Sequence, residues 1–551
     1  MQDETGRMRE PFTARRTRHS SDPDPFEDLV KRIAWTAFLL AAPSLALAQS
    51  ATPGTRDDGV TRAVASISAA DVARRVTLIA HDSMGGRDTP SPGLEKTAAY
   101  IAAEFRRFGL KPGGDSGTFL QRYGVLRRQV DSAATILRVT GPGAASLRLG
   151  AELSVLPFAP LPGREVSGPV VVLAGPAPAD TANRFGGANL AGAWVVMAAQ
   201  AGRGPAGLQA DFQMLETAAS SGAAGVVLVT NRTDADWQAR LARMLRPSVS
   251  LEGTEPAAPI GPVLELRDAA AVSALRIDPA ALRAAPTRVA RRLDGVTLTF
   301  NGGYRVLSRV TAPNVVGILE GSDPRLKSEY LVYSAHMDHV GTAGQSGACT
   351  ARGADSICNG ADDDGSGTVA VIEAAEAFAL LQPRPKRSVI FLTVSGEEHG
   401  LWGSAYFADH PPVPAPNLVA NINLDMVGRN WTDTIVAIGK EHSDLGATLN
   451  RVAAAHPELN MRAIDDLWPQ ERFYFRSDHY NFARKGVPIL FFFNGVHEDY
   501  HRVSDHPDKI DAEKESRIVK LVFYLGLEVA NAAARPKWNP ESYKQIVQAA
   551  N

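Results

Sequence analysis

Gly360-Ala361-Asp362-Asp363-Asp364-Gly365-Ser366-Gly367 sets three consecutive carboxylates between glycines, immediately before a run of helical periodicity. No Lys or Arg lies within the stretch to offset the mutual repulsion, so the loop asks for a cation. Alone, such a loop reads equally as a solvated acidic turn or a calcium loop. Its flanks change that reading. Upstream, a strand-like run closes in Tyr333-Ser334-Ala335-His336-Met337-Asp338-His339. Downstream, others close in Ser395-Gly396-Glu397-Glu398, in Asn423-Leu424-Asp425 and, after the apolar run 489–493, in Asp499-Tyr500-His501. Four predicted strands thus end in ligand-type residues.

From residue 313 onward strands are predicted at 315–319, 330–334, 389–394, 419–424 and 488–493, and helices at 368–380, 445–455 and 516–533. Apolar, β-branched strands separated by helices predict an α/β fold with a mostly parallel central sheet flanked by helices. In such sheets ligands gather outside the carboxyl ends of the strands, where His336, Glu397 and Asp425 fall. Earlier in the chain, a linker near 52–59 precedes helical periodicity at 69–80 and 94–108. Between those helices Ser83-Met84-Gly85-Gly86-Arg87-Asp88 reads as a turn. From about 130 the texture shifts to short Val-rich strands at 170–173, 194–197 and 226–229, with a helix near 208–220, which reads as a separate β-rich module.

The chain has 551 residues, too many for one ordinary core of ~100–200 residues, so two or three domains are expected. A formal net charge of −2 gives no electrostatic case for nucleic acid or an anionic membrane, which leaves a small or peptide-like partner. Lys31-Arg32 precede an apolar run at 33–47 that ends in the small-x-small pattern Ala46-Leu47-Ala48, an export signal. The run is short and poorly flanked for a membrane span, with an uncleaved anchor as the alternative. Residues 1–28 are long and polar for a leader, so translation is expected to start nearer Leu29 or Val30. The only cysteines, Cys349 and Cys358, read as a disulfide if the chain is exported and as two free thiols otherwise; their spacing is not that of a zinc site.

Imidazoles and carboxylates together suit zinc. Suppose Asp363, Glu398 and Asp425 are ligands beside neutral His336 and His501. One divalent ion leaves a net −1, whereas two offset the three carboxylates and one bridging hydroxide, with metals ~3.5–4 Å apart. Along a strand, positions i and i+2 share a side, so Asp338 can approach and orient His336. Adjacent Glu397 and Glu398 diverge, which lets one bind metal while the other moves a proton.

In this combination and order, Ser334 to His339, the 360–367 loop, Ser395 to Ser404, Asn423 to Arg429 and Tyr500-His501 resemble the M28 zinc metallopeptidases. That family includes secreted bacterial leucyl-type aminopeptidases and glutamate carboxypeptidases. The resemblance runs from about residue 70 to 530. It implies that Asp363 bridges two zinc ions per chain, that His336 and Asp425 complete one site, and that Glu398 and His501 complete the other. By the same resemblance Glu397 is the general base, Tyr500 steadies the tetrahedral oxyanion, and the Asp363–Asp364 peptide is cis.

The implied organisation is an N-terminal extension and signal peptide at 1–48, a peptidase domain at 60–129 and 296–535, a protease-associated-like insertion at 130–295, and a C-terminal tail at 536–551. The implied function is an exported dinuclear zinc aminopeptidase, periplasmic or secreted, that hydrolyses peptides by metal-hydroxide attack. No membrane span is expected after signal cleavage, and the oligomeric state stays open. Three alternatives remain. A glutamate-carboxypeptidase-like exopeptidase would use Arg472 and Arg476 for a substrate carboxylate; a glutaminyl cyclase would use one zinc; a non-catalytic binding ectodomain would keep only the fold. Outside the set, His339 is expected in a hydrogen-bonded structural role and His399 in a loop. Ser477-Asp478-His479 is expected to pack or line a pocket, since three adjacent residues do not converge as a triad.

Overall fold

The computed structural model describes residues 56–549 apart from 157–160, 177–184, 186, 200–214, 216–217, 254–260 and 345–347. The export signal and its leader, and most of the helix expected near 208–220, lie outside the described residues. Residues Thr55–Asn551 cluster as one unit, built on two sheets. The first contains β1 (Lys111–Pro112), β2 (Leu120–Val130), β3 (Ser248–Leu251), β4 (Tyr304–Leu319), β5 (Tyr330–His336), β6 (Ser388–Val394), β7 (Leu418–Leu424), β8 (Thr434–Ile438), β9 (Arg462–Ile464) and β10 (Ile489–Phe492). Their order is β9-β8-β10-β7-β5-β6-β4-β2-β3, with β1 beside β4.

The four central strands β6, β5, β7 and β10 are parallel neighbours, and β6 and β7 are buried along their whole length. That double burial is why they read as continuous apolar runs. Antiparallel pairs flank them, β4 against β6 and β2, and β8 against β10, while the edge strand β9 runs parallel to β8. This departs from a simple parallel sheet for a topological reason. The chain leaves along β2 and returns along β4, pairing Val130 with Tyr304 and Leu120 with Val315, and a chain that returns beside its own exit pairs antiparallel without a crossover.

One face of the sheet is covered by α1 (Arg56–Ser66), α2 (Ala69–Ile79), α3 (Pro92–Arg107), α5 (Gly367–Ala379) and α6 (Ala512–Asn531), whose apolar residues share one core with Tyr333 and Phe391; α4 (Asp234–Met244) belongs elsewhere. The linker expected at 52–59 gives way to α1 at Arg56. Ser91 caps α3, accepting from the Leu94 N–H at 3.1 Å, with Pro92 opening the first turn.

Arg75 of α2 is fully buried and pairs with Glu373 and Glu376 of α5 and with Glu104 of α3, the last at 3.0 Å. Replacing it by methionine leaves Glu373 buried without its cation. We expect Arg75→Met to cost ~3–5 kcal/mol in urea unfolding, as breaking a buried pair does; a loss below ~1 kcal/mol, the range of exposed pairs, would contradict this packing. Burial pushes the Glu104 carboxyl up, but Arg107 and Arg75 outweigh it and hold the group below its ordinary 4.5. Its contribution is therefore fully present above pH 4.5 and is lost as pH falls through the lowered value.

The second sheet has eight strands in the order Ala145–Arg148, Ile136–Thr140, Val289–Asn301, Val166–Ala174, Trp194–Ala198, Gly225–Thr230, Val263–Arg267 and Leu153–Val155. It has its own core around Trp194, Trp237 of α4 and Phe300, in the region where the Val-rich texture begins. Only β3 leaves this region to pair with β2. Cys349 and Cys358 are disulfide-bonded in the loop after β5. No helix of the described residues is long and apolar enough to cross a membrane.

Candidate active site

Register brings the strand ends together: His336 lies opposite Val394, and Leu424 opposite Phe492. Everything that follows these residues emerges from one edge of the sheet. The acidic loop enters at Gly360 with φ +58°, where an added Cβ would lie 2.3 Å from the Asp363 carbonyl oxygen and 2.5 Å from His339 Cγ. Only glycine fits there. The Asp363–Asp364 peptide is cis.

The three carboxylates of the loop diverge. Asp362 accepts the Gly428 N–H at 2.7 Å and faces His497 Nε2 at 3.1 Å. Asp364 accepts the N–H groups of His336 (3.0 Å), Gly367 (2.8 Å) and Met426 (3.2 Å), stapling β5, α5 and the end of β7. Asp505 accepts the Asp362 and Asp363 backbone N–H groups. Of the three, only Asp363 turns its carboxylate to the imidazoles of His336, His339 and His501.

His336 Nε2 is 3.3 Å from Asp363 Oδ1 and 3.6 Å from Asp425 Oδ1. His501 Nε2 is 3.2 Å from Asp363 Oδ2 and 3.0 Å from Glu398 Oε2. His339 Nδ1 is 2.9 Å from Glu398 Oε1 and 3.6 Å from Asp363 Oδ2. Yet both His339 ring nitrogens, Asp363 Oδ2 and Glu398 Oε1 are buried without an aligned hydrogen-bond partner. His399 Nε2, by contrast, hydrogen-bonds Asp88 at 2.8 Å. Donors that crowd together without pointing at one another suit a shared cation, since tetrahedral zinc bonds of ~2.0–2.2 Å hold ligand atoms roughly 3.3 Å apart. The residues therefore fit divalent metal. By distance alone Asp364 could join His336 and Asp425, but its oxygens are already taken by three backbone N–H groups.

The five residues expected as ligands thus come together, with Asp363 among the other four. His339 stands beside them, its Nδ1 2.9 Å from Glu398 Oε1. Burial pushes the Asp363 carboxyl up, but His339, His336 and His501 outweigh it and hold it well below the usual range. Against burial and Asp363, His339 and His501 bring Glu398 down to about 2. The adjacent Glu397 goes the other way: burial pushes it well above the usual range, opposed by His336 and reinforced by Asp478, Glu398 and Asp425. The two neighbouring glutamates are thus driven apart in their affinity for a proton.

Asp338 serves both. His336 Nδ1 faces the Asp338 carbonyl oxygen at 3.3 Å and its carboxylate at 3.7 Å. The carboxylate accepts the Thr89 hydroxyl at 3.0 Å and the Glu397 N–H at 3.3 Å. Strand alternation ends at His336, so the backbone carbonyl rather than the carboxylate makes the nearer contact. Arg87, part of a plain turn in the sequence, is fully buried and donates to the carbonyls of Ile79, Met337, Asn359 and Gly360 at 2.5–3.0 Å, tying that turn to both metal-site loops. Nothing in a single sequence marks it.

Tyr500 stacks on His501 with ring centroids 3.9 Å apart, and burial together with the surrounding carboxylates raises its pKa, so it stays a neutral O–H donor. It borders a pocket of about 60 Å³ walled by Phe473, Phe491, Phe493 and Val496, with Glu397 and Asp425 at its polar end. Ser477, Asp478 and His479 diverge as expected: the Ser477 hydroxyl donates to Asp425 Oδ2 at 2.9 Å, and His479 Nε2 meets the Tyr474 carbonyl at 2.8 Å.

Residues 314–526 match the model of Peptidase family M28. A probable zinc metalloprotease of Pyricularia oryzae is 26% identical over 365 residues, covering 50% of this chain and 70% of that protein. Another, of Pyrenophora tritici-repentis, is 34% identical over 276 residues, 42% of this chain and 60% of that protein. A probable leucine aminopeptidase of Arthroderma otae is 27% identical over 228 residues, 40% of this chain and 58% of that protein. The last two matches span less than two thirds of the relative. Among solved structures, an aminopeptidase from Aneurinibacillus sp. strain AM-1 aligns with a TM-score of 0.49 at 18% identity, over 87% of this chain and 98% of that one. The segment that matches the M28 model, residues 314–526, is the one that carries the clustered residues.

Proposed function

We propose that this chain is an exported zinc aminopeptidase with two ions per chain, releasing residues from the free N-terminus of peptides. The observation that carries this is that His336, with Asp425 beside it, stands at one oxygen of Asp363 and His501, with Glu398 beside it, at the other, while Glu397 has no imidazole within ion-pair distance among the described residues. Zinc, when bound, supplies Lewis acidity that lowers the pKa of water toward ~7 and polarises the scissile carbonyl. His336 and Asp425 would hold one ion and Glu398 and His501 the other, with Asp363 within reach of both groups. Glu397 takes the proton from the attacking water and returns it to the leaving amine. Asp338 fixes the Glu397 backbone, and the Tyr500 hydroxyl donates to the developing oxyanion. The aromatic pocket suits a bulky apolar side chain at the substrate's first position.

A carboxypeptidase reading has one observation in its favour: Arg476 borders the same pocket. Its guanidinium lies 4.8 Å from the Phe473 ring centroid and 3.7 Å from Glu471, which favours a packed, solvated role. The Cys349–Cys358 bond supports an oxidising compartment, periplasmic or extracellular. The separate core of the second sheet supports a protease-associated-like module there.

The deciding experiment gives zinc-loaded and chelated protein peptides with free or blocked termini and identifies products by mass. Stepwise loss from the free N-terminus, abolished by chelation and by N-terminal blocking, is expected. Loss from the C-terminus would replace this reading by the carboxypeptidase. His339→Ala is expected to weaken binding of one zinc by ~10–100-fold in competition with a chelating dye, the scale of losing a group that sets a metal ligand. Unchanged affinity would remove His339 from the site.

A further inference from the structure

A cavity of about 1200 Å³ lies between the two sheets. It exceeds the ~300–1,000 Å³ of ordinary small-ligand pockets and suits several residues of a chain. Its walls come from β2 and β4 on one side, from the C-terminal end of α4 on another, and from His399 and Asp88 at the catalytic edge. Glu397 borders the metal cluster and the apolar pocket, and His399, two residues on, borders the cavity. One loop is therefore a wall of both.

The charges lining this cavity are unequal in their freedom. Asp88 is engaged by His399 at 2.8 Å, and Glu95 by Arg122 at 2.7 Å. Arg127, Arg243 and Arg246 are exposed and have no ion-pair partner among the described residues. Three free guanidinium groups facing one cavity favour carboxylates, which a guanidinium engages with paired hydrogen bonds.

We propose that this cavity receives the part of a peptide substrate that follows the cleaved bond, and that Arg127, Arg243 and Arg246 select tails rich in Asp and Glu. The proposal rests on the aminopeptidase reading. With the first side chain in the aromatic pocket and the scissile bond at the metals, the remainder of the peptide passes the Glu398-His399 wall and enters the cavity. Substrate preference would then have two sources, an apolar first residue and an anionic tail.

The test compares leucyl peptides of equal length whose tails are all glutamate or all lysine, together with a leucyl anilide that has no tail, on zinc-loaded full-length protein. We expect kcat/KM for the glutamate tail to exceed that for the lysine tail by ~10-fold or more at low salt, with the ratio shrinking as salt rises. In the triple variant Arg127→Glu, Arg243→Glu and Arg246→Glu the ratio should invert. Because the ratio is taken within one protein, partial loss of folded material cancels. A ratio near one in the wild type, or a ratio unchanged in the triple variant, would overturn the anionic-tail proposal while anilide turnover leaves the aminopeptidase reading intact. Absence of anilide and peptide turnover in the wild type would overturn both.

Discussion

Glu397→Gln is expected to lower kcat by ~10²–10⁴, the usual contribution of a general base, while zinc content and the melting temperature of the loaded protein stay at wild-type values. The reason lies in the division of labour along one loop. Glu398 is held anionic by His339 and His501, whereas burial and the neighbouring carboxylates raise the affinity of Glu397 for a proton. Its backbone is held by the Asp338 carboxylate at 3.3 Å, so a glutamine at 397 keeps shape and position and loses only the ability to carry a proton. Steady-state kinetics on a leucyl substrate with metal analysis of the same sample checks this. A variant that kept full turnover would remove Glu397 from the mechanism, and one that lost zinc would make it a ligand.

Asp363→Ala carries the second large effect. Its Oδ1 stands by His336 and its Oδ2 by His501 and His339, so on the proposed two-ion reading one substitution would withdraw a ligand from both ions, and it leaves three imidazoles without their shared anion. The variant is expected to retain less than one tightly bound zinc per chain, to turn over at background, and to melt, in the presence of zinc, where the chelated wild type melts. Native mass spectrometry counts the ions. Two ions retained at wild-type affinity would show that the carboxylate does not join the sites.

The centre of the fold was legible because β5, β6, β7 and β10 are buried on both faces, and such strands write themselves as apolar runs with their functional residues at the ends. The antiparallel rims were not. The β2 strand alternates and is half-buried, β4 is exposed from Arg305 to Thr311, and their pairing joins residues 120–130 to 304–315 across the whole excursion into the second sheet. At the site, His336, Asp363, Glu398, Asp425 and His501 stood out because each is a metal-ligand type at a strand end or in a glycine-bounded loop. His339 and Arg87 did not, since their importance lies in what faces them. His339 meets Glu398 across 59 positions, and Arg87 meets carbonyls as far along as Gly360. Such contacts exist only once the sheet has brought the loops together. Of the acidic triplet, Asp362 and Asp364 accept backbone N–H groups, a role that depends on which loops the fold brings to them.

The most direct test of the account is anomalous scattering at the zinc edge from crystals grown with zinc. Two peaks are predicted in each chain, one on either side of the Asp363 carboxylate, the first beside His336 and Asp425 and the second beside Glu398 and His501. A single peak, or peaks away from Asp363, would contradict it.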